Sequence, residues 1–284
     1  MPEKVRLPVL SGRWYPGEPE RLRGDVERMM AAEGPALPRP SCIVVPHAGY
    51  VWSGETAGLV YGHVRERGYR RVFVLCPNHR RPVRGIVADE AAAFRTPLGD
   101  VSVDCGVIEA WRRASDIGFD RLAHRDEHAI EIQLPFLQVA LGLDFRLVPL
   151  IVGDISAEAA RAFGGVLRGA CGADDLVVIS ADLMHYGAGY GFVPFDAPDA
   201  GKIAAYDEVT MAAIASLDAA AFESFSRRHP HASCGLAPLR VMAHAFGDGK
   251  HRAVRLAYDT SGRRSGSYDM SVSYFGMAIV PASE

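Results

Sequence analysis

The sequence has 284 residues, of which 49% are hydrophobic and 23% are charged, and its formal net charge is −3. A chain of this length and composition can bury a large core, as one α/β domain or as two smaller domains. The charge balance shows no basic excess, so binding to nucleic acid or to an anionic membrane is not expected.

Neither a targeting segment nor a membrane span is predicted. The N-terminal residues contain no apolar region typical of a signal peptide, and no apolar run reaches the ~18 residues that a spanning helix needs. The five cysteines form no CxxC pair. Because an odd, unclustered set of cysteines is typical of reduced thiols, we expect a cytoplasmic protein.

In chain order, short aliphatic runs alternate with stretches of helical periodicity. The first half predicts helix 19–32, strand Cys42–Val45, helix 54–68, strand 72–75, extended segments around the turn at 97–99 that form a hairpin on the sheet edge, and helix 105–114. The second half predicts helix 127–141, strand 145–152, helix 157–168, strand 176–180, helices 200–217, 219–227 and 235–245, and two final strands.

The alternation of strands and helices indicates an α/β fold. We predict a three-layer sandwich with a mostly parallel β-sheet, helices on both faces and antiparallel edge strands. The continuous aliphatic character of the strands fits burial on both sides of the sheet. No internal repeat or clear linker interrupts the pattern, so a single domain over 1–284 is expected.

Three histidines follow the ends of predicted strands. His47 and His79 come soon after a proline that ends a strand, and His185 follows the strand at 176–180 together with Asp182. In an open parallel sheet, ligands bind beyond the carboxyl ends of the strands, so these side chains are expected to meet at one edge. The alternative for any one of them is a loop-capping histidine that bonds a carbonyl group.

Two further segments carry candidate ligands. His128 lies in the predicted helix 127–141, where Glu127 and Glu131 are four residues apart and would share a helix face; the alternative is an acidic first turn of that helix. Cys234 precedes a predicted helix, whose N-terminal field would lower the thiol pKa and favour a thiolate, unless it is a small buried residue.

Histidine nitrogens combined with a thiolate or a carboxylate suit iron, copper or zinc. The glycines at 187, 189 and 191 are spaced GxGxG, but no crossover helix follows at once, so a nucleotide site is not predicted.

At this point the residues resemble a known family. The segments VRLPVLSGRWYP, VPHAGYVWSG, CPNHR, TPLGDVSVD, DEHAIEIQLPFLQ, VPLIVGD, ISADLMHYG and SCGLAP are similar, in that order, to the motifs of the Memo family, whose bacterial and archaeal members are called AmmeMemoRadiSam system protein B. The resemblance covers nearly the whole chain.

The resemblance implies a fold similar to that of the class III extradiol dioxygenases, which bind non-haem iron. It implies a pocket built from His47, His79, Asp182, His185 and Cys234, with His128 nearby. Metal ligation would come from His47, His79 and Cys234. Because the dioxygenases have a carboxylate where this chain has Cys234, the resemblance argues against ring cleavage and admits copper as well as iron.

The resulting hypothesis is a metal-dependent redox enzyme acting on an unknown small molecule or peptide. Fe(II) is the preferred metal and copper the alternative, with His185 as acid/base, Asp182 as an orienting group and His128 beside them. For Tyr50 and Tyr186, packing is favoured over a place in the pocket.

Two other functions stay open: a non-catalytic protein that uses the pocket for a peptide or protein partner, and a metal carrier. The family name records association with a radical-SAM protein and a second small protein, which are the expected partners.

Overall fold

The computed structural model describes residues 5–114 and 117–282. Its strands are β1 (Val5–Arg6), β2 (Cys42–Val45), β3 (Arg71–Cys76), β4 (Ile86–Ala88), β5 (Ala93–Thr96), β6 (Gly99–Ser102), β7 (Ile117–Phe119), β8 (Arg146–Val152), β9 (Asp175–Ser180), β10 (His185–Tyr186), β11 (His251–Thr260) and β12 (Ser271–Pro281). Its helices are α1 (Pro19–Met30), α2 (Tyr50–Gly62), α3 (Cys105–Ala114), α4 (Arg121–Asp126), α5 (Leu134–Leu141), α6 (Ala157–Ala170), α7 (Ala200–Ala215), α8 (Ala219–Arg228), α9 (Leu236–Phe246) and α10 (Ser261–Ser265).

The described strands form a main sheet with the order β10-β12-β2-β9-β3-β8-β4-β7, and β11 pairs with β12. The central strands β2, β9, β3 and β8 are parallel, whereas β12 and β4 join them antiparallel on either side. Helices α1, α2 and α5 pack on one face, and α6 and α9 pack together on the other. The predicted α/β sandwich with antiparallel outer strands is confirmed.

The central strands are buried except at the first residues of β3 and β8, as their aliphatic sequences predicted. Every residue of β2 and β9 is buried, and so is every residue of β3 after Arg71. Because all three strands run in the same direction side by side, their carboxyl ends lie at one edge of the sheet. This edge is where the predicted histidines emerge.

Helix α2 begins at Tyr50, four residues before the predicted start at residue 54. The helix also ends earlier than predicted, at Gly62, and its glycines at 54 and 58 allow close packing against α1. A Cβ atom at Gly58 would lie 2.4 Å from the carbonyl oxygen of Met29, so α1 and α2 approach each other at a distance that only glycine permits.

The hairpin predicted on the edge of the main sheet is present but lies elsewhere. Strands β5 and β6 pair antiparallel around Gly99, and β1 joins them in a separate three-stranded sheet. The edge assignment was wrong because the partner of β5 is the N-terminal strand, which is distant in sequence.

The helix predicted over 127–141 was also wrong in its first half. Residues Glu131–Gln133 form a single 3₁₀ turn, and α5 starts only at Leu134, with Pro135 in its first turn. The carboxylate of Glu127 accepts hydrogen bonds from the backbone N–H groups of His128 and Ala129, which holds this segment in a non-helical turn.

In the part of the chain that the structure describes, no helix has both the length and the apolar character needed to cross a membrane.

Candidate functional site

The carboxyl ends of β2, β3 and β9 bring together the residues singled out in the sequence. His47, His79, His128, Asp182 and His185 all line one cavity of about 640 Å³ at this edge. Cys234 reaches the same cluster from the turn before α9, with its Sγ atom 3.3 Å from Nε2 of His47. The fold therefore gathers six residues from five separate segments of the chain.

His47 is buried, and hydrogen bonds fix the orientation of its ring. The hydroxyl of Ser180 donates to the carbonyl oxygen of Ala129 at 2.7 Å, so toward His47 Nδ1, 3.0 Å away, it acts as an acceptor. The neutral imidazole therefore carries its proton on Nδ1 and presents the lone pair of Nε2 to Cys234. The backbone N–H of His47 also donates to Asp182 at 2.8 Å.

Glu127 fixes the orientation of the His79 ring through hydrogen bonds to its carboxylate. The Nδ1 atom of His79 donates to Oε1 of Glu127 at 2.9 Å, and the backbone N–H of His79 donates to Oε2 at 2.7 Å. With Nδ1 engaged, Nε2 is the ring nitrogen that can bind a ligand. Burial opposes ionisation of Glu127, but the hydrogen bonds from His79 and Ala129 and the electrostatic influence of the neighbouring imidazoles outweigh burial and lower the pKa of this carboxyl to about 2.

His47, His79 and Cys234 form a group whose ligand atoms all lie within 4.8 Å of one another. His79, Glu127 and His128 form a second group by the same measure. In that second group, both oxygens of Glu127 already accept hydrogen bonds from backbone N–H groups and from His79. We therefore interpret Glu127 as an orienting group and the first group as the candidate ligand set.

The sequence-based expectation for the Cys234 thiol was wrong. Burial, aided by the charge of Asp182, raises the pKa of this thiol well above its usual range. Helix α9 begins two residues later, at Leu236. A cation bound to the sulfur would favour the thiolate directly.

Asp182, His185 and His128 surround the candidate ligands. Asp182 is buried, which raises the pKa of its carboxyl, and its Oδ2 lies 4.0 Å from Nε2 of His185. Nε2 of His185 is buried and has no hydrogen-bond partner among the described residues. Burial, with the repulsion that protons on the neighbouring imidazoles of His47 and His79 would add, lowers the pKa of His128 to about 3, so this imidazole is neutral.

The outer part of the large cavity is formed by residues that sequence reasoning did not assign to a site. Trp14, Trp52, Tyr190 and Met270 line it, together with Arg13. The only signal for Arg13 and Trp14 was their place in the first family-like segment. Their position depends on the N-terminal segment, which Glu131 anchors from a distant part of the sequence.

Tyr50 and Tyr186 have packing roles, as favoured from the sequence. The hydroxyl of Tyr50 donates to the carbonyl oxygen of Ile132, and that of Tyr186 donates to the carbonyl oxygen of Phe195. Both residues are buried.

The fold and this edge define an α/β protein with a histidine-lined cavity at the carboxyl ends of parallel strands. A family model described as Memo-like protein matches residues 6–278. The chain therefore belongs to the Memo family, as the sequence motifs predicted.

Relatives from distant organisms support the assignment. The chain is similar to "MEMO1 family protein" of Aquifex aeolicus, with 32% identity over 279 residues, covering 98% of this chain and 100% of the relative. It is also similar to "Protein memo-1 homolog" of Caenorhabditis elegans, with 30% identity over 289 residues, covering 96% of this chain and 81% of the relative. "MEMO1 family protein MK0963" of Methanopyrus kandleri is 33% identical over 284 residues, covering 95% and 96% of the two chains.

Proposed function

We propose that this protein binds a redox-active metal ion through His47, His79 and Cys234 and acts as a metal-dependent oxidoreductase on a small organic molecule. The observation that carries the proposal is the convergence of these ligand atoms within 4.8 Å. The Nδ1 atoms of His47 and His79 are hydrogen-bonded to Ser180 and Glu127. The Nε2 atom of each imidazole can therefore bind the metal.

We propose Fe(II) first, as the resemblance to non-haem iron dioxygenases implies, and copper second, which the donor set also fits. Imidazole nitrogens suit both metals, and the thiolate is a soft donor that particularly suits Cu(I). When bound, either metal would supply one-electron redox chemistry at this edge of the sheet. The raised pKa of the Cys234 thiol is compatible with ligation, because a directly bound cation deprotonates a coordinating thiol.

The chain's own side chains would handle protons and orientation. His185 is proposed as the acid/base group, since its Nε2 lies at the cavity and lacks a hydrogen-bond partner among the described residues. Asp182 would fix this arrangement, because it accepts from the backbone N–H of His47 and faces His185. His128 lies between the ring of His79 and that of Trp14 and would shape the pocket floor.

We also propose that the protein works in the cytoplasm, which is a reducing compartment. All five cysteines are free, and Cys234 must remain a thiol to act as a ligand. A radical-SAM protein and a second small protein are proposed as partners, and co-purification from native extracts tests this part.

The metal content of the protein, purified without oxygen, tests the central claim. We expect stoichiometric iron or copper in the wild type and its loss in His79→Ala and Cys234→Ser. His185→Gln is the matched variant, because it alters the same cavity outside the ligand set and should keep the metal while losing metal-dependent oxygen consumption. Circular dichroism confirms that each variant is folded. A wild-type protein that cannot be loaded with either metal overturns the proposal.

A second function is favoured by the rim of the large cavity. Val51, Trp52, Tyr190 and Met270 are exposed apolar residues that line its mouth. Such a surface suits a peptide or protein partner. If the protein stays empty of metal, partner binding becomes the leading function, whereas tight copper binding without turnover indicates a metal carrier.

A further inference from the structure

A second, smaller cavity adjoins the candidate ligands from another side. Its volume is about 180 Å³, against about 640 Å³ for the large cavity. Cys234 lines the smaller cavity, whereas His47 and His79 line the larger one. The three residues of this group therefore do not all line the same cavity.

His185 and Tyr190 line both cavities and so form the wall between them. Their rings meet edge to face, with centroids 5.2 Å apart. The backbone of the loop that carries Tyr190 has positive φ angles at Gly187 and Gly191, which glycine adopts readily. Tyr190 itself is 45% exposed, so this wall lies at the protein surface.

The smaller cavity is open at its outer end, where Pro230 and His231 are exposed. Cys234 at its inner end is only partly buried, while Cys42 and Cys76 are fully buried. No Asp, Glu, Lys or Arg is among the described residues that line this space.

We propose that the smaller cavity is a separate entrance through which small, uncharged molecules of a few heavy atoms reach the sulfur of Cys234. The size follows from the volume, which lies below the ~300–1,000 Å³ of pockets that bind drug-sized ligands. The preference for uncharged molecules follows from the lining, whose residues in the described part of the chain include no Asp, Glu, Lys or Arg to compensate the desolvation of an ion.

This division gives the cluster two independent approaches. An organic ligand in the large cavity would cover the imidazole side, and a small co-reactant could still arrive on the sulfur side. That consequence rests on the proposed redox function, whereas the separate entrance itself does not.

Alkylation of Cys234 tests the entrance. The full-length protein, treated with a chelator in alkaline buffer, is reacted with iodoacetamide or with fluorescein maleimide, and peptide mapping follows Cys234 against the exposed Cys105. Access limits the rate of thiol reactions. We therefore expect the ratio of the alkylation rate at Cys234 to that at Cys105 to be about tenfold lower for fluorescein maleimide than for iodoacetamide. Equal selectivity for the two reagents overturns the proposal.

Variants then identify which cavity admits the reagent. His231→Trp narrows the small cavity and should slow iodoacetamide at Cys234, whereas Val51→Trp narrows the large cavity and should leave that rate unchanged. Tyr190→Ala removes the wall and should admit the bulky reagent, while Tyr190→Phe should not. If Val51→Trp slows the reaction as much as His231→Trp, the sulfur is reached through the large cavity and the proposal fails.

The result is separable from the proposed function, because it is read on protein without metal. Elemental analysis of the same preparations, made before chelation, reports on the metal. A protein that binds no metal yet shows the expected alkylation pattern keeps the entrance and loses the oxidoreductase. A protein that binds metal but shows no size selectivity at Cys234 keeps the proposed oxidoreductase function and loses the entrance.

Discussion

Glu127 accepts two hydrogen bonds from the same residue, His79: one from ring Nδ1 at 2.9 Å and one from the backbone N–H at 2.7 Å. The carboxylate thus fixes both the position of the loop after β3 and the rotation of the imidazole. The same carboxylate accepts from the backbone of His128 and Ala129, so it connects two walls of the cavity.

Replacing Glu127 should therefore weaken metal binding without removing a ligand. We expect Glu127→Gln to lower the affinity for iron or copper by about 10- to 100-fold, because the groups that orient ligating histidines typically contribute this much. Competition with a calibrated chelator measures the affinity. Asp126→Asn is the matched control, since its exposed carboxylate pairs with the exposed Arg125 at the surface. Equal loss in the two variants would contradict an orienting role.

Gly235 sets the distance between Cys234 and the end of β9. A Cβ atom at this position would lie 2.3 Å from the Cβ of Ala181, so Gly235→Ala must push the turn that carries the thiol away from the strand. We expect a loss of about 1–3 kcal/mol in the free energy of unfolding, as overpacking usually causes, and weaker metal binding. Urea denaturation and chelator competition measure the two effects.

The control for this variant is Gly169→Ala in α6, where an added Cβ meets nothing within 4 Å. Alanine there should be neutral or stabilising by up to about 1 kcal/mol, because it has the higher helix propensity. A Gly235→Ala protein as stable as Gly169→Ala would show that the close approach is not needed.

Glu131 anchors the N-terminal segment rather than the pocket. Its buried carboxylate forms an ion pair with Arg6 and accepts from the hydroxyl of Tyr15 and from the backbone N–H groups of Val9 and Leu10. Glu131→Ala leaves the buried Arg6 charge without its partner, so we expect a loss of about 3–5 kcal/mol in the free energy of unfolding.

Urea denaturation checks this value against Glu55→Ala, which removes an exposed partner of Arg28 and should change the stability by no more than about 1 kcal/mol. Because Arg13 and Trp14 follow Leu10 and line the large cavity, the Glu131 variant should also bind ligands there more weakly. A change of less than 1 kcal/mol in Glu131→Ala would mean that this network does not hold the segment.

Asp207 in α7 should make the stability of the protein depend on pH. Burial raises the pKa of this carboxyl to about 6, although its Oδ2 accepts a hydrogen bond from Tyr258 at 2.7 Å. The folded state therefore holds the proton more tightly than the unfolded chain. The stabilising contribution is full below about pH 4 and is lost as the pH rises through about 6.

Asp207→Asn removes this titration and keeps an acceptor for Tyr258. The stability of the variant relative to the wild type should therefore increase by about 3 kcal/mol between pH 4 and pH 7. Urea denaturation across this range measures the difference. Tyr258→Phe, which removes the hydrogen bond to the charged form, should move the loss of stability to higher pH. If the free energy of unfolding changes with pH in the same way for the wild type and for Asp207→Asn, the raised pKa of Asp207 is refuted.

The sequence by itself determined the sheet and the edge at which the histidines emerge. Aliphatic runs such as Cys42–Val45 can be buried only in the middle of a layered fold, and parallel strands place their carboxyl ends together. His47, His79 and His185 could therefore be assigned to one edge before their contacts were known. The family motifs added Cys234 to the same group.

What only the tertiary structure decided depends on contacts between distant segments. The segment around Glu127 was predicted as helix, because its apolar spacing is helical, but its carboxylate instead bonds the loop of His79. The Cys234 thiol was expected to have a low pKa from the adjacent helix, but burial raises it. Local patterns set propensity and strand direction, whereas desolvation and long-range hydrogen bonds exist only once the chain is folded, and these decide how the side chains at the site behave.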